Sequence, residues 1–179
     1  MTHAFTLVIG GARSGKSAFA EQLVLQQVAA KSASFSPVYI ATARAWDNEM
    51  SERISLHRAA RDGQGWQTLE APLGLDEALL ALPSGTPVLI DCLTLWLTNH
   101  MMAEADLNAQ CGKLANAITA YDGPVTAVAN EVGLGIVPEN AMARRFRDAA
   151  GRLNQDLAAQ ADRVVFIAAG LPMVLKGQL

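Results

Sequence analysis

The run Gly10-Gly11-Ala12-Arg13-Ser14-Gly15-Lys16-Ser17 has the residue types and the spacing to hold a nucleotide's phosphates. Its pattern is Gly-x-x-x-x-Gly-Lys-Ser, preceded by the apolar run Phe5–Ile9 and followed by an Ala-containing helical stretch. A strand, a glycine-rich turn and a helix start in that order make a phosphate-binding loop. Glycines let the backbone approach closely, so several N–H groups can converge on anionic oxygens. Lys16 would reach the β- and γ-phosphates, and the Ser17 hydroxyl would complete a Mg²⁺ shell. The helix that starts near Lys16 adds its positive dipole end.

Two further groups could work with that loop. Asp91 ends the apolar run Pro87-Val88-Leu89-Ile90. It reads either as an acid holding Mg²⁺, directly or through water, or as the N-cap of a helix starting at Cys92. Glu131 is the rival acid on the next strand end, and the unbroken apolar run before Asp91 favours Asp91. Glu49, Arg53, His57 and Arg61 recur every four residues and so share one helix face. Taken alone, such a row is a solvated, ion-paired surface worth roughly a few tenths of a kcal/mol per pair. A histidine set among Arg53, Arg58 and Arg61 has a second use. Nearby cations disfavour its protonated form, leaving a neutral imidazole able to attack phosphorus. The same guanidinium groups could hold phosphate oxygens bidentately. His3 and His100 lack such surroundings in the sequence.

The elements that must position these groups follow from the alternation of short β-rich runs with helical stretches. Strands are expected at Phe5–Ile9, Val38–Ala41, Trp66–Leu69, Val88–Asp91, Val125–Asn130, Val164–Ala168 and Met173–Leu175. Helices are expected at Lys16–Ala30, Asp47–Ala60, Asp76–Leu82, Ala103–Tyr121 and from about Glu139 to Ala161. This predicts an α/β nucleotide-binding domain with parallel strands and covering helices. Ligands of such sheets gather at the carboxyl ends of the strands, which singles out Gly10–Ser17, Thr42 to Arg44, Asp91 and Asn130-Glu131.

At 179 residues the chain is expected to form a single domain over 1–179, and 51% hydrophobic residues exclude disorder. A net charge of −3 argues against a sequence-independent nucleic-acid binder. No membrane span is expected, since no apolar run approaches the length of one, and Val88 to Leu97 is broken by Asp91 and Thr94. The N-terminus shows no basic-then-apolar signal region. Cys92 and Cys111 are too few for a disulfide framework and lack metal-ligand spacing, so a reduced cytoplasmic protein is expected. A regulatory GTPase would carry Asn-Lys-x-Asp and Asp-x-x-Gly, where this chain reads Asn130-Glu131-Val132-Gly133 and Asp91-Cys92-Leu93-Thr94. The Gly-x-Ser-x-Gly of an α/β-hydrolase is absent too.

Taken together, the segments resemble the bifunctional adenosylcobinamide kinase/adenosylcobinamide-phosphate guanylyltransferase family of cobalamin biosynthesis. The resemblance is carried by Gly10–Ser17, Tyr39-Ile40-Ala41-Thr42-Ala43, Asp47-Asn48-Glu49-Met50 and Arg53-Ile54-x-x-His57-Arg58-x-x-Arg61. It continues in Trp66–Pro72, Leu89–Thr94, the distinctive block Asn130–Asn140, Phe146-Arg147-Asp148 and Gly151–Gln155. The resemblance implies two steps. The aminopropanol hydroxyl of adenosylcobinamide is phosphorylated with ATP or GTP. A histidine then takes GMP from GTP as a phosphoramidate and passes it to adenosylcobinamide phosphate, giving adenosylcobinamide-GDP. The family histidine falls on His57. Family nucleotide contacts fall on Gly10–Ser17, on Ala41, Thr42 and Ala43, on Arg58, Ala59, Ala60 and Arg61, and on Glu70 and Asp91. A P-loop (RecA-like) mainly parallel sheet and a homotrimer are implied as well. The alternative is a P-loop kinase of another small alcohol with His57 structural. Arg144, Arg145 and Arg147, on the last long helix, read as a solvated face rather than a phosphate site.

Overall fold

Short apolar runs separated by helices become parallel strands here because each return crossing is long enough to need a helix. The structure, a computed structural model, describes residues 4–30, 36–44, 52, 55, 59 and 61–179. Its strands are β1 (Phe5–Gly10), β2 (Val38–Ala41), β3 (Gln67–Glu70), β4 (Val88–Asp91), β5 (Val125–Asn130), β6 (Arg163–Ala168) and β7 (Leu171–Lys176). Its helices are α1 (Lys16–Ala30), α2 (Leu75–Leu80), α3 (Leu93–Met102), α4 (Leu107–Ala120) and α5 (Ala141–Gln160). The strands form one sheet in the order β3-β2-β4-β5-β1-β6-β7. All neighbouring pairs are parallel except β6 and β7.

Strand β5 therefore lies between the phosphate-loop strand β1 and the acid-bearing strand β4. That insertion makes this the RecA-like form of the P-loop α/β fold. Side chains alternate between faces, and both faces are covered, so the central strands read as unbroken apolar runs. On one face Phe5, Leu7, Ile40, Ile90 and Ala127 pack with Leu79, Trp96, Leu97, Leu114, Ile118 and Leu157 from α2 to α5. On the other face Val8, Tyr39, Leu89, Val128, Val165 and Ile167 pack with Ala20 and Val24 of α1.

The element boundaries differ from expectation in one place that matters. The helix expected over Ala103–Tyr121 begins at Leu107, and a separate helix, α3, occupies Leu93–Met102. Glu104 breaks the chain with a φ of 53°, and the Asp106 carboxylate caps α4 by accepting from the N–H groups of Asn108 and Ala109 at 3.0 and 3.2 Å. Of the helix expected at Asp47–Ala60, only Glu52, Ser55 and Ala59 lie among the described residues, and all three are helical.

Candidate active site at the carboxyl edge of the sheet

The phosphate loop is shaped by a close approach at Gly10 that leaves no room for a side chain there. Gly10 has a φ of +154°, and a Cβ there would press on the Ile167 carbonyl oxygen and stand 2.9 Å from Ser14 Oγ. The Ser14 N–H donates to the Gly11 carbonyl at 3.3 Å, and the Phe19 N–H to Gly15 at 3.0 Å as α1 begins. From the far side, the β6–β7 turn holds the loop through a Gly170 N–H to Ser14 carbonyl bond of 2.9 Å. Ser14 Oγ is buried and has no hydrogen-bond partner among the described residues, an unspent donor inside the loop.

Lys16 is buried and its Nζ donates to the Gly11 carbonyl at 2.5 Å. Burial lowers its pKa, opposed in part by the Asp91 carboxylate. Asp91 closes β4, and its Oδ2 accepts from the Tyr39 hydroxyl at 2.9 Å. Arg61, only 5% exposed, lies with its guanidinium carbon 3.5 Å from the centre of the Tyr39 ring. Its Nη1 meets Glu21 Oε1 of α1 at 3.5 Å, while its Nε is buried without a hydrogen-bond partner among the described residues. A buried guanidinium with spare donor capacity suits a phosphate.

These groups surround one cavity of about 600 Å³. Ala12, Arg13, Ser14, Gly15, Lys16 and Ser17 line one side; Ala41, Ala43, Arg61 and Asp91 line the other. The structure thus brings together the loop, the acid and one of the arginines that the sequence singled out. Gly10 and Gly11 shape the loop behind the lining. Thr42 is placed elsewhere: it is fully buried, its hydroxyl donates to the Cys92 carbonyl at 2.7 Å and accepts from the Cys92 N–H at 2.8 Å. Glu70 is exposed at the end of β3, and Ala59 is exposed. Glu131 bonds through Oε1 to the Gly133 N–H at 2.6 Å and is not among the lining residues, whereas Asp91 is. His57, Arg58 and Ala60, like Arg53 and His3, lie outside the described residues. Arg144 donates to the carbonyls of Pro138 and Glu139, and Arg147 pairs with Asp148, so both are used locally.

Tyr39, Cys92, Leu95, Val128 and Asn130 also line the cavity. Asn130 was marked by its place at a strand end; Tyr39 was not. The available signal was the two-residue strand period, which puts Tyr39 on the same face as Ala41. Burial pushes the Cys92 thiol up to about 12, so it stays a neutral wall of the pocket. A second groove, between α4 and α5 and lined by Cys111, Arg152 and Asp156 among others, contains none of the loop residues.

Ser17 and Asp91 offer a hydroxyl and a carboxylate to the same cavity, a hard-oxygen set that fits Mg²⁺ when phosphates and water supply the remaining ligands. Among the described residues no group of three or more His, Cys, Asp or Glu could hold a metal ion. No helix among them is long and apolar enough to cross a membrane.

Comparison with known proteins converges on one family. The profile described as CobU, cobinamide kinase / cobinamide phosphate guanyltransferase, matches residues 6–175. The bifunctional adenosylcobalamin biosynthesis protein CobP of Pseudomonas aeruginosa is 45% identical over 175 residues, covering 96% of this chain and 97% of that one. The bifunctional adenosylcobalamin biosynthesis protein CobU of Escherichia coli is 39% identical over 186 residues, covering 95% and 98%. Its counterpart in Salmonella typhimurium is 38% identical over 188 residues, with the same coverage. Among solved structures, flagellar accessory protein FlaH from Methanocaldococcus jannaschii aligns with a TM-score of 0.49 and 12% identity over 98% of this chain and 79% of that one.

Proposed function

This chain belongs to the cobinamide kinase / cobinamide phosphate guanyltransferase family, and on that premise we propose how its cavity serves both reactions. The enzyme is a bifunctional kinase and guanylyltransferase of adenosylcobalamin biosynthesis. In the first step the aminopropanol hydroxyl of adenosylcobinamide attacks the γ-phosphorus of ATP or GTP. The bond from that phosphorus to the β–γ bridging oxygen breaks, and the hydroxyl proton is lost to solvent. Lys16 and the N–H groups of Gly10–Ser17 stabilise the charge that builds on the bridging oxygen, a contribution that grows in a water-poor pocket. Mg²⁺, held by Ser17 and Asp91, supplies charge neutralisation when bound.

In the second step His57 attacks the α-phosphorus of GTP and pyrophosphate leaves. A phosphate oxygen of adenosylcobinamide phosphate then attacks the phosphorus of the His57-bound GMP, the P–N bond breaks, and adenosylcobinamide-GDP is released. Dividing one displacement in two is the general logic of covalent catalysis. Ala41, Ala43, Arg58, Ala59, Ala60, Arg61, Glu70 and, through the backbone it anchors, Thr42 are proposed as nucleotide-binding positions. The observation that carries the reading is Arg61. It lines the phosphate-loop cavity with a buried Nε that has no partner among the described residues, and it stands four residues from His57 in the chain.

The test is to incubate the protein with Mg²⁺ and GTP labelled at the α-phosphate. An acid-labile, base-stable covalent label is expected, and it should vanish in His57→Ala while nucleotide binding persists. An unlabelled wild type that still phosphorylates alcohols would overturn the second step. We place the enzyme in the cytoplasm, where its free thiols Cys92 and Cys111 would stay reduced. We propose a single catalytic domain and a homotrimer, whose contacts would cover the exposed Leu134, Ile136, Leu171 and Met173.

A further inference from the structure

Tyr39 faces the cavity, yet neither reaction step above uses it. Its hydroxyl donates to Asp91 Oδ2 at 2.9 Å. Strand pairing sets this up: Ala41 lies opposite Asp91 and Tyr39 opposite Leu89, so Tyr39 and Asp91 are diagonal neighbours on one sheet face. The ring cannot swing away. The Arg61 guanidinium lies 3.5 Å over its centre, and Trp66 meets it edge-on with centroids 6.1 Å apart. Tyr39 is only 6% exposed, so these neighbours enclose it. The backbone ladder already joins β2 to β4, so this bond is not needed to hold the two strands together.

We infer that Tyr39 is a positioning residue for Asp91, committing one carboxylate oxygen to a fixed hydrogen bond so that the other is presented to the metal of a bound Mg²⁺–nucleotide. A free carboxylate rotates and offers either oxygen; one anchored through Oδ2 has a single orientation to offer. Through its ring Tyr39 also ties Asp91 to Arg61, linking the metal-side acid to a phosphate-side cation. The inference rests on reading the cavity as a Mg²⁺–nucleotide site.

The experiment measures binding of a fluorescent GTP analogue across a Mg²⁺ titration. Tyr39→Phe keeps the ring and removes only the donor. Losing a hydrogen bond to a charged group should raise the Mg²⁺ concentration for half-maximal tightening about tenfold, with affinity in the absence of Mg²⁺ held within about twofold. In an Asp91→Asn background the same change should add nothing to the Mg²⁺ requirement. An unchanged Mg²⁺ midpoint in Tyr39→Phe, or equal weakening with and without Mg²⁺, would overturn the inference. A second readout needs no substitution. The chain has 2 tyrosines, so 3-fluorotyrosine labelling gives two ¹⁹F signals. Mg²⁺ added to the nucleotide-saturated protein should move the Tyr39 signal and leave that of Tyr121, whose hydroxyl bonds to the Thr86 carbonyl at 2.8 Å. A stationary Tyr39 signal would overturn the inference even if Tyr39→Phe failed to fold. Wild-type protein that binds no nucleotide would instead sink the proposed function, and the inference with it.

Discussion

His100 lies buried on α3, with Nε2 3.2 Å from the Leu73 carbonyl oxygen and its ring 4.6 Å from that of Trp96. Burial lowers its pKa; the Leu73 carbonyl and Asp76 raise it by less, and Arg44 and Lys113 lower it further. The fold therefore favours neutral imidazole, and the unfolded chain binds the proton more readily. Stability from this group is complete above the unfolded value of 6.5 and is lost as pH falls from there toward the folded value. The loss is at most about 1.4 kcal/mol per pH unit. Melting curves between pH 7.5 and 5.5 should show a steeper fall for wild type than for His100→Gln; equal slopes would contradict this. At this scale the sequence revealed what a motif places locally. Lys16, Ser17 and Asp91 were legible because a strand end and a glycine turn fix them. The Thr42 hydroxyl bonds to the Cys92 backbone and the Tyr39 hydroxyl reaches Asp91, neither of which a motif announces. Both outcomes depend on partners about fifty residues away, to which one strand's pattern is blind.

The turn between β6 and β7 is the element that most directly affects the loop. Gly170, with a φ of +79°, gives its N–H to the Ser14 carbonyl at 2.9 Å. Gly170→Ala should cost about 1–2 kcal/mol for the left-handed backbone, and it should also weaken nucleotide binding by loosening Ser14. Gly85→Ala is the control: its φ is 82°, but its N–H goes to the Asp122 carbonyl, so it should lose stability and keep its affinity. Urea midpoints and nucleotide titrations on both variants test this; equal affinities in the two would contradict the loop contact. Strands β2, β4 and β5 and helix α1 were legible to the residue, since apolar runs and turn residues bound them. Helix α3 was not. Leu93, Thr94, Trp96, Leu97, Asn99 and His100 are all buried, so it has no polar stripe to reveal a helical period.

For the whole molecule, the sequence pattern implied parallel strands and covering helices, but strand order depends on which runs pair and could not be read from periodicity. The antiparallel β7 follows from a connection of only two residues, Ala169 and Gly170, too short for a parallel crossover. The exposed Leu171, Met173 and Leu175 on that edge, with Leu134 and Ile136 beyond β5, bear on assembly. Light scattering during size-exclusion chromatography should return three times the chain mass of 19.0 kDa, and a mass of 19.0 kDa would refute the homotrimer. The position of β5 has one more consequence. Strands in a sheet stand about 4.8 Å apart, so one intervening strand separates the axes of β1 and β4 by roughly 10 Å. Lys16 feels the Asp91 charge, but its ammonium is hydrogen-bonded to the Gly11 carbonyl. The sheet acts as a spacer between opposite charges, which keeps them from pairing with each other and sets both along the wall of one cavity.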